Sequence, residues 1–248
     1  ILDAPRRKIL EQVLGGLLNG LWWTQKRDGH FADHVHLLSV VPSNVTSPYA
    51  DGEALLALSR GAVVLKRKAW AERLRSTALR LMDAYSRRAW AENPDSDDTK
   101  GFYQWGSMAF DVLGQARWMK REEADRFILA LAWWQLHVHR LLERKGNIAY
   151  AVEGLVLALP AARRQKLESA VKSLEAALEI GVLRLLRLQV SGPRYKDNPF
   201  LANLGRVDPR AVGGVIKQQR GGLIRVDMVQ HHALALLGYL RLAFLEEQ

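Results

Sequence analysis

The chain contains no cysteine. Disulfides and thiolate metal sites are therefore excluded, and cysteine usage gives no reading of the redox compartment. No apolar run approaches the roughly 20 residues that a membrane-spanning helix needs. No alternating strand pattern continues beyond about four residues. Nothing reads as a helix-turn-helix, a zinc finger or an RNA-binding sheet, so nucleic acid is not the expected partner. Acidic residues are in deficit, 26 against 36 Lys and Arg, and the formal charge is +10. That imbalance favours an anionic partner, either an anionic glycan or another polyanion. Apolar residues, 48% of the total, are sufficient for a sizeable core and exclude wholesale disorder. The length suits a single domain over residues 1–248. The chain opens on Ile1, as expected of a processed or trimmed piece of a longer protein. Asn44-Val45-Thr46 fits a glycosylation acceptor.

Helical periodicity fills most of the sequence. It predicts helices over Pro5–Trp23, Ala50–Leu65, Ala69–Trp90, Gln104–Met119, Glu122–Arg144, Asn147–Leu159, Ala162–Gln189 and Val226–Glu246. The first carries Ile9, Val13 and Leu17 on one side. The third, fifth and seventh have charged outer faces, whereas the second, fourth, sixth and eighth are apolar nearly all round. A helix apolar all round is a buried helix. The fold class is therefore all-α, with hairpins alternating between an inner and an outer ring and the first helix meeting the eighth. Long loops, Thr24–Tyr49, Ala91–Tyr103 and Val190–Ile224, lead into inner helices, and a short turn at Lys145–Gly146 does the same. The joins near Lys66, Lys120 and Pro160 are short. Long loops gathered at one end of such an arrangement are places for function.

The inner helices start alike: YADGEALLAL at Tyr49–Leu58, YQWGSMAFDVL at Tyr103–Leu113, AYAVEGLVLAL at Ala149–Leu159 and RVDMVQHHALALL at Arg225–Leu237. Each sets polar or aromatic residues before an apolar stretch, a weak internal repeat. Residues three and four apart share a helix face. Asp227, Gln230 and His231 thus form one stripe, Tyr49 and Glu53 another, Tyr150 and Glu153 a third, and Gln104, Ser107 and Asp111 a fourth.

These hairpins resemble the α/α toroids, a group that includes six-hairpin glycosidases, unsaturated glucuronyl hydrolases, uronyl epimerases, polysaccharide lyases, terpenoid cyclases and prenyltransferases. QKRDGHF at Gln25–Phe31 is similar to the Gln-x-x-Asp-Gly-x-Trp signature of terpenoid cyclases, with Phe31 in place of Trp. The same phrase occurs in carbohydrate-active toroids. The resemblance implies a toroid of antiparallel hairpins with its site at the inner-helix starts. Two departures stand out. The length allows about four hairpins where the group usually has six. The acidic run Asp95-Ser96-Asp97-Asp98 has the Asp-x-Asp-Asp spacing of a cyclase acid motif but falls in an expected loop, not on an inner helix.

The candidate catalytic residues are Glu53, Glu153, Asp227 and His231. A pair of carboxylates with separated pKa values can work as acid and base, and Asp227 can orient the imidazole one turn on. The same Glu residues also suit a helix start simply by facing its dipole. The candidate binding residues are Tyr49, Tyr103, Gln104, Trp105, Tyr150, Arg220, Arg225 and Gln230. Tyr103 and Trp105 offer a platform for a sugar ring. Arg206, Arg210, Lys217, Arg220 and Arg225 offer bidentate grips on carboxylates or phosphates. Asp111, set among apolar neighbours, needs a partner such as Arg60 or Arg225. Asp33 with His30, His34 and His36 matches no recognised ligand motif, so no metal is expected, and no motif implies a cofactor. Three functional classes remain: an enzyme of anionic or polar glycans, working by glycosidic cleavage or uronyl chemistry; a non-catalytic binder of polyanions or proteins; and an isoprenoid-processing enzyme.

Overall fold

The structure is a computed structural model that describes residues 4–36, 38–144, 148–218 and 220–245. It is all-α, with 70% of the chain helical. The helices are α1 (Ala4–Thr24), α2 (Pro48–Val64), α3 (Ala71–Asp83), α4 (Ala89–Glu92), α5 (Asp97–Gln115), α6 (Arg121–His137), α7 (Ile148–Arg164), α8 (Glu168–Leu186), α9 (Pro199–Ala202) and α10 (Val226–Leu245). Among the described residues the only named strands are β1 (Val35–His36) and β2 (Val41–Pro42), an antiparallel pair in which Val35 faces Pro42. Among the described residues no helix is long and apolar enough to cross a membrane. The turn expected at Lys145–Gly146 lies outside the described residues. Packing divides the chain into two compact units, Ile1–Leu131 and Ala132–Gln248.

In the first unit, α2 and α5 form the centre. Pro48 sits in the first turn of α2, where its missing N–H costs nothing. Asp51, Leu55, Leu58 and Ala62 then recur at helical spacing and are all fully buried. The α2–α5 approach depends on glycine: a Cβ at Gly52 would lie 2.6 Å from Cβ of Trp105, and one at Gly101 would lie 2.7 Å from Pro48. The start of α5 differs from the sequence reading. The hydroxyl of Ser96 accepts the Asp98 N–H at 3.2 Å, so Asp97 and Asp98 occupy the first helical turn rather than a loop. The long third helix is also interrupted. A π-helical turn over Ala84–Arg88 separates α3 from α4 and holds Tyr85, a 5%-exposed ring. The apolar stripe of α1 is not a core face: Ile9, Val13 and Leu17 are exposed, and α1 buries Leu18 and Trp22 instead. Leu18 fills the gap over Gly61 on α2, so only the C-terminal half of α1 is anchored there.

In the second unit α7 is the buried helix, with α8 and α10 against it. Gly181 of α8 meets Val152, and Gly238 of α10 meets Val156 at 2.8 Å from where a Cβ would stand. The break expected at Pro160 does not occur. α7 runs through it, because burial of Ala158, Leu159, Ala161 and Ala162 on both sides offsets the single backbone bond a proline removes. The turn comes at Lys166, whose φ is 56°. There the Leu167 N–H reaches back to the Ala162 carbonyl at 3.0 Å, closing the helix end. The same device ends α2 at Lys66 and α5 at Arg117, each at positive φ. A basic residue at these points faces the negative end of the helix dipole. Among the described residues between α8 and α10, Val190, Leu201 and Ile216 form a small core of their own.

Candidate functional site

Within the second unit, Glu153 stands on the second turn of α7 and His231 on the second turn of α10. The imidazole Nδ1 lies 2.8 Å from Glu153 Oε2. Both residues are buried, at 3% and 8% exposure. Tyr150, one turn before Glu153, stands edge-on to the imidazole with centroids 5.5 Å apart and planes at 88°. Three residues anticipated from the helix starts therefore meet. With Nδ1–H donated to the carboxylate, Nε2 carries the lone pair and the ring is oriented for proton transfer.

The carboxylate differs from the one expected. Asp227 on the first turn of α10 makes a two-point pair with Arg225, at 2.9 and 2.7 Å. That guanidinium holds the Asp227 carboxyl below its ordinary range. The partner of His231 thus comes from another helix, because Asp227 lies at the half-exposed end of α10 beside its own arginine. Gln230 is exposed. His232 is 3% exposed, and neither of its ring nitrogens has a hydrogen-bond partner. Desolvation lowers its pKa to about 4, so at neutral pH it is an uncharged core residue.

The first unit holds a second pair that the sequence reading passed over. Asp51, fully buried on the first turn of α2, accepts the Phe31 N–H at 2.6 Å on one oxygen. Its other oxygen receives His30 Nδ1 at 2.5 Å and the hydroxyl of Tyr85. The His30 side chain keeps 17% of its surface. Its pKa is raised, chiefly by the hydrogen bond to Asp51 and against the desolvation of its setting. Burial and the Asp51 charge push the Tyr85 phenol above its ordinary value, so it stays a proton donor. Tyr85 also stands edge-on to His30, at 5.7 Å and 84°. The turn before His30 needs Gly29, whose φ is 100°.

A signal for Asp51 was present in the sequence: Asp51, Leu55, Leu58 and Ala62 make one apolar stripe with a single acid at its head. Glu53, two residues on, falls on the opposite side of α2 and is exposed. Among the other anticipated residues, Tyr49 is 46% exposed, while Tyr103 and Gln104 are fully buried. Trp105 is half-buried, its Cβ close to Gly52. Arg220 is exposed. Asp111 is paired with Arg121 at 2.7 Å, a neighbour in the next helix rather than either arginine expected from the sequence. His34 is 2.6 Å from Asp33 and in ring contact with His36. Among the described residues no group of three or more His, Asp or Glu could hold a metal ion. Two basic clefts mark the first unit, one of about 520 Å3 between Arg7, Lys8, Lys66 and Arg67, the other of about 440 Å3 beside Lys26 and Arg73. No family model, curated protein or solved structure matches this chain.

Proposed function

We propose that this protein is an α/α-toroid enzyme acting on an anionic or polar glycan, with Glu153–His231 and Asp51–His30 as its acid–base pairs. One observation carries the reading: each unit sets a buried carboxylate near the start of an apolar helix and binds an imidazole through Nδ1. The carboxylate fixes the ring and its tautomer and stabilises the imidazolium that forms when Nε2 takes a proton. Nε2 is then the atom that removes a proton from a sugar carbon or hydroxyl, or returns one to a leaving oxygen. Glycosidic cleavage and uronyl chemistry both need that step. The formal charge of +10 fits an anionic substrate.

Incubation with a panel of acidic and neutral polysaccharides, scored for new reducing ends and for unsaturated uronyl ends, tests the proposal. Turnover abolished by both Glu153→Gln and His231→Asn in folded protein supports it. No turnover on any member sinks the catalytic reading. The two basic clefts favour a second reading, a non-catalytic polyanion binder, which predicts salt-sensitive binding without turnover.

A further inference from the structure

We propose that the cleft beside the Gln25–Gly29 turn is a carboxylate-binding subsite for an acidic oligosaccharide. The inference rests on the glycan reading above and assigns it a place of contact. The cleft measures about 440 Å3 and is lined by Lys26, Arg27, Arg73 and Arg80, with Glu72 as the single acid. That volume lies in the range of small-ligand sites. Among the described residues, none of the four cations is in an ion pair.

Three of the four are nevertheless held in place. Arg73 donates to Gln25 Oε1 at 2.9 Å and to the Trp22 carbonyl at 3.3 Å, and its guanidinium lies 3.9 Å over the Trp22 ring. Arg80 donates to the Arg27 carbonyl at 2.7 Å, and Lys26 to the Asn44 carbonyl at 2.5 Å. Every one of these acceptors is neutral. The side chains are thus ordered without their charge being cancelled, which removes part of the entropic cost of gripping an anion. A guanidinium has five N–H donors, so both arginines keep donors for an oxyanion. Ser76 adds a hydroxyl to the wall, while the buried Thr77 hydroxyl is engaged by the Arg73 carbonyl and the Gln25 amide. Among the described residues no aromatic ring lines the cleft, so a nucleic-acid base would find nothing there to stack on. A sugar unit bearing a carboxylate fits this chemistry: charge for the arginines and hydroxyls for the polar wall.

The test is calorimetric titration of the intact protein with a galacturonic acid tetramer. A neutral maltose-series tetramer and a thymidine oligonucleotide of equal charge serve as comparison probes. The double variant Arg27→Gln/Arg80→Gln is set against Arg7→Gln/Lys8→Gln, which removes the same formal charge at the other basic cleft. The cleft variant should weaken tetramer binding by about tenfold or more, the scale of a lost charge-assisted hydrogen bond, while the control stays within about twofold. Equal losses in both variants, or no loss in the cleft variant, would overturn the subsite. Oligonucleotide binding as tight as the tetramer's would overturn its assignment to a glycan. Thermal unfolding of each variant separates lost binding from lost fold. Failure here leaves the His231 turnover assay intact, and failure of that assay leaves the binding result standing, so the two readings fall separately.

Discussion

The two carboxylate–imidazole pairs are built from similar parts by different routes. Asp51 and His30 are 21 residues apart, and one loop joins them; Glu153 and His231 are 78 apart, and α8 and the 187–225 segment lie between them in sequence. Asp51 is saturated by a backbone N–H, a phenol and the imidazole. The first pair also keeps an edge in solvent, whereas the second is nearly closed, with side-chain exposures of 10% and 3%. The comparison separates two needs of such a site. One is a rigid, fully bonded anion. The other is an imidazole with somewhere to pass its proton. The first pair meets both, and the second pair adds a neighbour, His232, that no hydrogen bond supports.

The largest expected effect comes from removing the anion of the first pair. Asp51→Ala leaves three donors without their acceptor in the core of the first unit, and should cost about 3–5 kcal/mol in denaturant unfolding. A loss below about 1 kcal/mol would show that solvent replaces the carboxylate easily and that the network is not a stabilising one. The next concerns the second pair. His231→Ala should lower turnover by about 10²-fold or more, the scale of a lost general acid–base group, and His232→Ala should lower it much less. The reverse order would mean that the wrong face of α10 had been assigned to chemistry.

Smaller effects probe the packing that holds each pair. Gly52→Ala presses a methyl against Cβ of Trp105, which has no rotamer to escape through, and should cost about 1–3 kcal/mol of stability. His232→Leu works in the opposite direction. It removes two buried nitrogens without partners and should raise the melting temperature, most clearly in acid. The sign follows from the pKa values. An unfolded histidine takes a proton near its ordinary value of 6.5, while folded His232 resists until about 4. The wild type therefore loses stability as pH falls between those values, and the variant loses less. His30 acts the other way: its raised pKa contributes stability that is complete below about 6.5 and fades as pH rises through the folded value. Acidification should thus loosen the second unit relative to the first, which amide exchange at neutral and mildly acidic pH would show.

Periodicity made the helices legible. α1, α2, α7 and α10 begin within two residues of their expected positions; in α2 and α7 burial and helical period wrote the same pattern, whereas α1 kept the period with its stripe exposed. Boundaries set by a single side chain were harder to read: Ser96 starts α5 early, and Pro160 fails to stop α7. The pair in the second unit was half legible. Glu153 and His231 were both marked as polar residues at buried-helix starts, but their union needs two helices to pack, and no local spacing records that. Asp51 was hidden by Glu53, a more familiar acid two residues away on the exposed side of the same turn. Tyr85 read only as part of the apolar face of the third helix with Trp70, Leu74 and Leu81, and its hydrogen bond to Asp51, made from a π-helical turn, had no local signal.

The 78-residue span between Glu153 and His231 also bears on the order of folding. The α7–α8 hairpin closes across the three-residue join Gln165–Leu167, turned at Lys166, so its contacts are local and form quickly. α10 must instead return to α7 after the 187–225 segment has been laid down, and loop closure over that distance comes later. Helix content and the Glu153–His231 hydrogen bond are therefore separate milestones for this chain, and a nascent or refolding molecule passes the first while that pair is still unassembled.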